Sequence, residues 1–218
     1  MSSHNKQLTI LSEAEKAAFY ELPDFNEEQR LEHFTLTDDE LQIALKRQTL
    51  SARVHCILQI GYFKAVNLFF NVRWNEVDPD DLHFILQQYF PEESFQEQTI
   101  TSYEYYTQCN AIAHFFGYRV WDQDHQSLLN THAMSVIQRD IQPQFVALEL
   151  LSYLKNEKII RPRYTTLQTI VSSVINDERK RLTTILHELL TSEEKSALQA
   201  LLIEEGVPWK NRQNRPLL

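Results

Sequence analysis

Residues 51–70 (SARVHCILQIGYFKAVNLFF) constrain the fold more than any other stretch, because a helix formed there would be apolar on nearly every side. The apolar positions are Cys56, Ile57, Leu58, Ile60, Phe63, Val66, Leu68, Phe69 and Phe70. A helix that is apolar all round belongs in the middle of a bundle. The stretch approaches the length of a membrane span, but polar residues interrupt it and neither flank is strongly basic. We therefore expect a buried central helix of a soluble protein.

Glycine is scarce, with three residues in a chain of 218. Sheet proteins use glycine in hairpin turns and in bulges, where the backbone adopts positive φ angles. So few glycines therefore favour an all-α fold with at most a stray strand.

Helix starts are marked along the chain by capping boxes, in which a Ser or Thr and a Glu or Gln three residues later close two free backbone N–H groups. The pattern occurs at Ser12/Glu15, Thr37/Glu40, Thr101/Glu104, Thr165/Gln168 and Thr191/Glu194. Asp78-Pro79 and Pro143 mark further starts, since proline suits the first helical position. Together with apolar periodicity, these signals predict helices at 12–21, 26–33, 37–47, 51–70, 79–89, 102–116, 124–140, 143–156, 165–190 and 192–204.

Gly117 is the best candidate for a domain boundary, because it follows a helical segment and precedes a polar stretch at 122–126. We predict an all-α fold of two small helical bundles. The first bundle, residues 1–121, is built around the central helix at 51–70. The second bundle, residues 122–218, contains a helix-turn-helix-like element at 143–190.

The charge of the chain is acidic but unevenly distributed. Its formal net charge is −9, which argues against a simple nucleic-acid-binding protein. Residues 1–100 hold 17 acidic and 8 basic side chains, whereas residues 101–218 hold 13 of each. Seven basic side chains lie within 155–181, and they form either a DNA-binding surface or an ordinary solvated face.

The element at 143–190 pairs two helices across a basic connector, in which Pro162 prevents one continuous helix. The second helix would bury apolar residues at three-four spacing, namely Leu167, Ile170, Val171, Val174, Leu182, Ile185, Leu186 and Leu189. It would turn short hydrogen-bonding residues outward, namely Thr166, Gln168, Thr169, Ser172, Ser173 and Asn176. A recognition helix presents such residues to base edges, while basic neighbours contact phosphates.

The candidate DNA-binding residues of this element are Lys155, Lys158, Arg161, Arg163, Tyr164, Thr165, Thr166, Gln168, Thr169, Ser172, Arg179 and Lys180. An ordinary helical hairpin with a polar face would explain the same pattern. Lys46, Arg47 and Arg53 form a second candidate group beside the start of the central helix. Basic residues that complement a helix C-terminus are the alternative for this group.

No set of residues predicts catalysis or a metal site. The histidines are scattered, three glycines cannot form a phosphate-binding loop, and the paired acids lie at helix starts. We therefore expect a protein without catalytic residues, metal or cofactor. An aromatic run at 103–121 predicts either a stacking platform or a bundle core with solvent-facing tyrosine edges.

The cysteines and the N-terminus bear on the compartment. Cys56 and Cys109 are isolated in apolar runs, which predicts buried thiols and not a disulfide. The first residues, MSSHNKQL, lack the apolar core of a signal peptide. We expect a cytoplasmic protein without a membrane partner.

The order of these motifs resembles the N-terminal region of the large replicative transposases of the Tn-three family. Residues 10–41 (ILSEAEKAAFYELPDFNEEQRLEHFTLTDDEL) are similar to the opening of those chains. A basic pair and a long apolar helix follow, here Lys46-Arg47 and Leu58-Gln59-Ile60-Gly61-Tyr62. A later Ile-x-Arg-Pro-x-Tyr-Thr-Thr-Leu phrase matches residues 159–167, and Glu-Arg-x-Arg-Leu matches residues 178–182.

The resemblance implies helical domains that bind the terminal inverted repeats of a transposon. The catalytic region of that family lies far downstream, so the resemblance implies a non-catalytic part of a transposase. The resemblance implies double-stranded transposon-end DNA and the rest of the transposase chain as partners, and it leaves open a homodimer of the full-length protein. It also implies a bacterial protein that is cytoplasmic and associated with the nucleoid. A helical protein–protein interaction or assembly module of the same transposase is the alternative, and the negative charge supports it.

Overall fold

The computed structural model describes residues 8–197 and confirms the all-α fold. The named α-helices are α1 (Glu13–Tyr20), α2 (Glu27–Phe34), α3 (Asp38–Leu45), α4 (Leu50–Val66), α5 (Pro79–Tyr89), α6 (Ser102–Phe115), α7 (Gln123–Ile137), α8 (Pro143–Asn156) and α9 (Tyr164–Leu189). Residues 192–197 are helical too, and the rest of the helix predicted at 192–204 lies outside the described residues. Extended pairing within 8–197 is limited to one isolated parallel bridge between Arg119 and Ile159.

Most of the predicted helix starts are confirmed. Ser12 with Glu15, and Thr37 with Glu40, form complete capping boxes before α1 and α3. Asp78 caps α5 with Pro79 in the first turn, and Pro143 opens α8. A further box, which was not among the predicted ones, is made by Asn26 and Gln29 and precedes α2. Local sequence therefore determines most of the helix starts.

The capping box predicted at Thr165 and Gln168 is wrong. Helix α9 begins at Tyr164, so Thr165 lies inside its first turn. The side-chain amide of Gln168 donates a hydrogen bond to the backbone oxygen of Leu8, 2.9 Å away. A tertiary contact has replaced the local cap.

Helix α4 is the buried centre of the first part of the chain, as predicted. It packs against α2, α3, α5 and α6. Its residues Ile57, Leu58, Ile60 and Tyr62 are inaccessible to solvent. Gly61 faces Phe34 of α2 so closely that an added Cβ would overlap the ring. Close packing of large rings around one central helix thus forms the core.

The prediction that the central helix runs to residue 70 is wrong, because α4 ends at Val66. Asn67 adopts the left-handed conformation, with φ 52°, and its backbone N–H donates to the Phe63 oxygen at 2.8 Å. Gln59 then holds the reversed chain, since its side chain bonds both the N–H and the C=O of Phe70. Residues 68–70 therefore fold back beside α4, where they are half-buried.

The chain divides into two compact units, Met1–Ser172 and Ser173–Leu218, and the division falls within α9. The first unit holds α1 to α8 and the start of α9, with α7 packed on α8. Backbone hydrogen bonds Arg119 N–H to Lys158 O (2.8 Å) and Ile160 N–H to Arg119 O (2.9 Å) join the end of α6 to the connector after α8. The boundary predicted between residues 121 and 122 stays a prediction.

The faces of α9 match the predicted pattern only in part. Leu167, Ile170, Val171 and Val174 are buried as predicted. Ser172, expected on the outward face, is only 5% exposed. The leucines expected to be buried later in the helix are exposed, at 40% for Leu182, 54% for Leu186 and 74% for Leu189. None of the helices within 8–197 has both the length and the hydropathy that crossing a membrane requires.

Candidate nucleic-acid interface

A cleft of about 680 Å³ opens beside the first turns of α6 and α9. We call it the α6–α9 cleft. Its lining comes from four segments, and the residues are Tyr20, Leu68, Phe69, Phe70, Asn71, Ser102, Tyr105, Tyr106, Arg161, Arg163, Tyr164 and Thr165. Four of the predicted DNA-binding residues, Arg161, Arg163, Tyr164 and Thr165, therefore share one concave surface with the tyrosines of α6.

The first turns of both helices lie at the cleft for local reasons. The Thr101 hydroxyl accepts the N–H of Glu104 at 3.1 Å, and α6 begins at the next residue, Ser102. The Arg163 oxygen accepts the N–H groups of Thr166 and Leu167 at 2.9 and 3.1 Å, and α9 begins there. The first backbone N–H groups of a helix carry partial positive charge and favour anions. Two such ends therefore add to the charge of the arginines.

Arg161 is engaged within the fold. Its guanidinium donates to the oxygen of Val66, the last residue of α4, where a positive charge complements the negative end of the helix. The same group lies 5.5 Å from the ring centroids of both Phe19 and Tyr20. Burial lowers the pKa of Arg161 from its usual value. Arg161 thus connects the end of α4 and helix α1 to its own connector at one wall of the cleft.

Arg163 differs from Arg161 because its side chain is exposed. The pKa of the Tyr105 hydroxyl is raised, and burial is the main cause. The positive charge of Arg163 acts on the same hydroxyl in the opposite direction and lowers its pKa. Tyr105 and Tyr106 pack edge to face with ring centroids 5.6 Å apart, and Tyr106 is 63% exposed. An accessible guanidinium therefore lies within the same cleft as an accessible aromatic ring.

The predicted base-reading residues fall into two classes. Thr165 and Thr169 are exposed, Thr166 is half-buried, and the Thr169 hydroxyl donates to the Thr165 oxygen at 2.8 Å. Gln168 and Ser172 instead bond the backbone of Leu8, since the Ser172 hydroxyl accepts the Leu8 N–H at 3.3 Å. The structure therefore leaves the threonine side of the α9 start open and covers the Gln168 side.

The second predicted group lies beside the same helix α6. Arg47 extends towards Glu104 of α6, with 3.7 Å between Nη1 and Oε1, and its Nε donates to the Ile43 oxygen at 3.3 Å. Arg53 donates from Nε to the Arg47 oxygen at 3.1 Å. Lys46 is exposed. Arg47 and Arg53 thus satisfy carbonyls at the end of α3, and Lys46 remains directed at solvent.

The remaining predicted lysines and arginines are exposed side chains at the end of α8 and in the second unit. Lys155 and Lys158 are exposed at the end of α8, where Lys158 adopts a left-handed conformation with φ 51°. Arg179 and Lys180 belong to the second unit and are exposed, with Lys180 Nζ 3.1 Å from Asp177 Oδ1. Lys155 and Lys158 are not among the residues that line the α6–α9 cleft.

Eight lining residues were not among the predicted site residues: Tyr20, Leu68, Phe69, Phe70, Asn71, Ser102, Tyr105 and Tyr106. The aromatic run at 103–121 was a usable signal for the tyrosines of α6. The sequence contained no signal for residues 68–71, because residues 68–70 were assigned to the central helix and residue 71 directly follows it. They reach the cleft only because the chain reverses at Asn67.

A search of curated proteins found no match to the chain. A family model described as Domain of unknown function (DUF4158) matches residues 10–174. The match ends close to Ser172, where the first compact unit ends. It spans the helices that line the cleft and most of the predicted site residues. The chain therefore belongs to the DUF4158 family.

Proposed function

We propose that the protein binds the terminal inverted repeats of a transposon as the non-catalytic N-terminal part of a transposase of the Tn-three kind. The observation that carries the proposal is the α6–α9 cleft, which gathers Arg163, two helix N-termini and exposed aromatic and hydroxyl side chains. These are groups that contact phosphates and bases in protein–DNA complexes. The order of sequence motifs supports the same function.

Phosphate contact would centre on Arg163 and the first turn of α9. The Arg163 guanidinium is exposed, and the neighbouring backbone N–H groups of α9 favour an anion at the same end. Ser102, in the first turn of α6, places a hydroxyl and a second helix start beside them. This arrangement would position one strand of the duplex without reading its sequence.

Sequence readout would rest on the threonines. Thr165 and Thr169 are exposed at one face of the α9 start, where a recognition helix presents side chains to the major groove. Gln168 and Ser172 are committed to Leu8, so in this proposal they hold the helix in place and do not contact bases. Arg161 likewise braces the connector through its bond to Val66. The proposed interface is therefore narrower than the sequence alone indicated.

The acidic total does not conflict with a local basic interface. The acids are concentrated in residues 1–100, and many lie in the first turns of α1, α2, α3 and α5. Carboxylates there complement helix starts. They would also repel DNA from the rest of the surface, which would favour one docking orientation.

The test compares affinities for a transposon-end duplex and for a shuffled duplex by fluorescence anisotropy at several salt concentrations. Arg163→Ala should weaken binding to both duplexes and reduce the slope of log K against log salt by about one. Arg139→Ala is the matched control, since Arg139 is an exposed arginine paired with Glu149 on α8 and lies outside the cleft. Equal salt slopes for the parent, Arg163→Ala and Arg139→Ala would overturn the proposed phosphate contact.

A second pair of variants addresses sequence readout. Thr169→Ala should lose roughly 1–3 kcal/mol on the transposon end if the hydroxyl contacts a base edge, with little change on the shuffled duplex. Thr183→Ala is its control, because Thr183 is an exposed threonine later in α9 whose hydroxyl also donates to a carbonyl four residues back. Equal losses on both duplexes would assign Thr169 to the phosphate contacts.

The exposed leucines favour a second candidate, a protein-interaction module of the same transposase. Leu182, Leu186 and Leu189 follow one another at helical spacing on the described part of α9, and all three are exposed. An apolar row of this kind is typical of a helix that docks on another protein surface. This candidate predicts that the parent protein associates with itself through the leucine row and that Leu186→Glu does not. Sedimentation of the two proteins tests it.

A further inference from the structure

We propose that the α6–α9 cleft holds one unstacked nucleotide, with its base against Tyr106 and its phosphate at Arg163. This inference rests on the proposed function and extends it, because it names the form of DNA that the site accepts. The shared chemistry is an aromatic base that carries a phosphate. An unpaired nucleotide of a DNA strand and a free mononucleotide both provide it.

The size of the cleft favours a single nucleotide. Its volume of about 680 Å³ lies within the range of about 300–1,000 Å³ that is usual for small-molecule sites. A double helix is too wide to enter a cleft of this kind and can only lie across its mouth. Enzymes that need access to one base solve the same problem by rotating the nucleotide out of the stack.

The aromatic wall suits a base. Tyr105 is held edge to face against Tyr106, while Tyr106 itself is 63% exposed and lines the cleft. Phe69 is fixed from behind, since it stacks on the buried Phe63 at 4.7 Å with 17° between the rings. Rings that are held on one side and open on the other form a stacking surface at little cost in side-chain entropy. Proteins that bind single strands use such surfaces for bases of any sequence.

The polar wall suits a phosphate. Arg163 and the first turns of α6 and α9 supply positive charge and N–H donors, and Ser102 adds a hydroxyl. Two buried polar atoms of the same wall, Arg161 Nε and Tyr20 Oη, have no hydrogen-bond partner among residues 8–197. Both atoms are nearly inaccessible to solvent, so the polar side chains that a phosphate can reach from the cleft are the exposed Arg163 and Ser102.

The two walls together predict a preference for DNA in which one base pair is already weakened. A fully paired duplex must lose the stacking and pairing of a base before that base can enter the cleft. A mismatch at the right position removes part of this cost. The complex should therefore be tighter with such a duplex, and the advantage should depend on Tyr106.

The experiment scans a single mismatch along a transposon-end duplex and measures the dissociation constant at each position for the full chain. At one position the mismatch should tighten binding by about fivefold or more, which corresponds to about 1 kcal/mol of pairing and stacking that no longer has to be lost. Tyr106→Ala should abolish the advantage and Tyr106→Trp should keep it. Tyr103→Ala is the matched control, since Tyr103 lies on the same helix, is 80% exposed and does not line the cleft.

A second arm uses deoxyadenosine monophosphate and inorganic phosphate as probes in calorimetric titrations. Tyr106-dependent binding of the mononucleotide with no binding of any duplex would support the cleft chemistry and refute the proposed function. Binding of the paired duplex, with no mismatch advantage and no effect of Tyr106→Ala, would overturn this inference and leave the proposed function standing. Thermal melts of each variant separate a loss of ligand from a loss of fold.

Discussion

The backbone oxygen of Leu8 accepts a hydrogen bond from the side-chain amide of Gln168, 2.9 Å away and 160 residues later in the chain. The Leu8 N–H donates in turn to the hydroxyl of Ser172, one helical turn further along α9. Shortly after Leu8, Ile10 and Leu11 are buried, at 0% and 2% exposure. The segment before α1 therefore lies along the α9 face that the sequence predicted to be outward.

Gln168→Ala should lower the free energy of unfolding by about 0.5–1.5 kcal/mol, because it removes one hydrogen bond and leaves the Leu8 oxygen without its partner. The expected effect on DNA affinity is small, since this side chain is directed at Leu8. Urea denaturation measures the first quantity and anisotropy the second. A variant with parental stability and a selective loss on the transposon end would return Gln168 to the interface.

Gly61→Ala should destabilise the protein by about 1–3 kcal/mol or more, because the new Cβ would overlap the ring of Phe34 in a closely packed core. The double variant Gly61→Ala/Phe34→Leu checks the cause. A smaller side chain at residue 34 should recover part of the loss, so that the two changes are not additive. Additive losses in chemical denaturation would show that the overlap with Phe34 is not what limits residue 61.

Asp81 predicts a specific pH dependence of stability. Its carboxyl is 1% exposed, and burial raises its pKa to about 6 even though Arg30 Nε donates to it at 2.7 Å and opposes the rise. Between about pH 4 and pH 6 the folded protein therefore keeps a proton that the unfolded chain has lost. The contribution of this proton to the free energy of unfolding is therefore largest below pH 4 and is lost as the pH rises through 6.

The change Asp81→Asn removes that titration and keeps an oxygen for Arg30. The free energy of unfolding of the variant minus that of the parent should rise by about 2 kcal/mol from pH 4 to pH 7. The variant is compared with the parent because other carboxyls also titrate in this range. Hydrogen bonds at helix starts lower the pKa values of Glu15 and Asp122, so these groups make stability rise with pH in both proteins, and their effect cancels in the difference. A difference that stays constant across this range would contradict the assignment.

Arg161→Ala should cost about 1.5–3 kcal/mol of stability, the usual value of a hydrogen bond to a charged group. The loss follows because Arg161 holds the Val66 oxygen at the end of α4 and packs over Phe19 and Tyr20. Arg163→Ala is the control, since it removes the same charge from an exposed side chain two residues away. Equal stability losses in guanidinium melts would mean that the brace to Val66 contributes nothing.

Local chemistry was sufficient for the helices. Ser12 with Glu15 and Thr37 with Glu40 close backbone groups that are only three residues apart, so their partners can be identified in the sequence itself. The scarcity of glycine and the apolar stretch around Ile57 predicted an all-α fold with a buried central helix for the same reason. Helix starts and burial periodicity depend on near neighbours.

Helix ends and faces required the tertiary structure. Phe69 and Phe70 continue the apolar pattern of α4, yet the chain leaves the helix because Asn67 adopts positive φ and Gln59 binds the returning backbone of Phe70. Sequence periodicity cannot register a hydrogen bond between residues 11 positions apart whose geometry depends on that reversal. The residues 68–71 that line the cleft were missed for this reason.

The candidate site divides in the same way. The sequence by itself determined that Arg161, Arg163, Tyr164 and Thr165 form a basic connector and a helix start, because Pro162 and the periodicity of α9 are local. Only the tertiary structure decided which of these side chains remain accessible. Arg161 became a brace because the end of α4 lies beside it, whereas Arg163 lies on the open side of the cleft. Burial and pairing depend on segments distant in sequence, and no local pattern encodes which segment arrives.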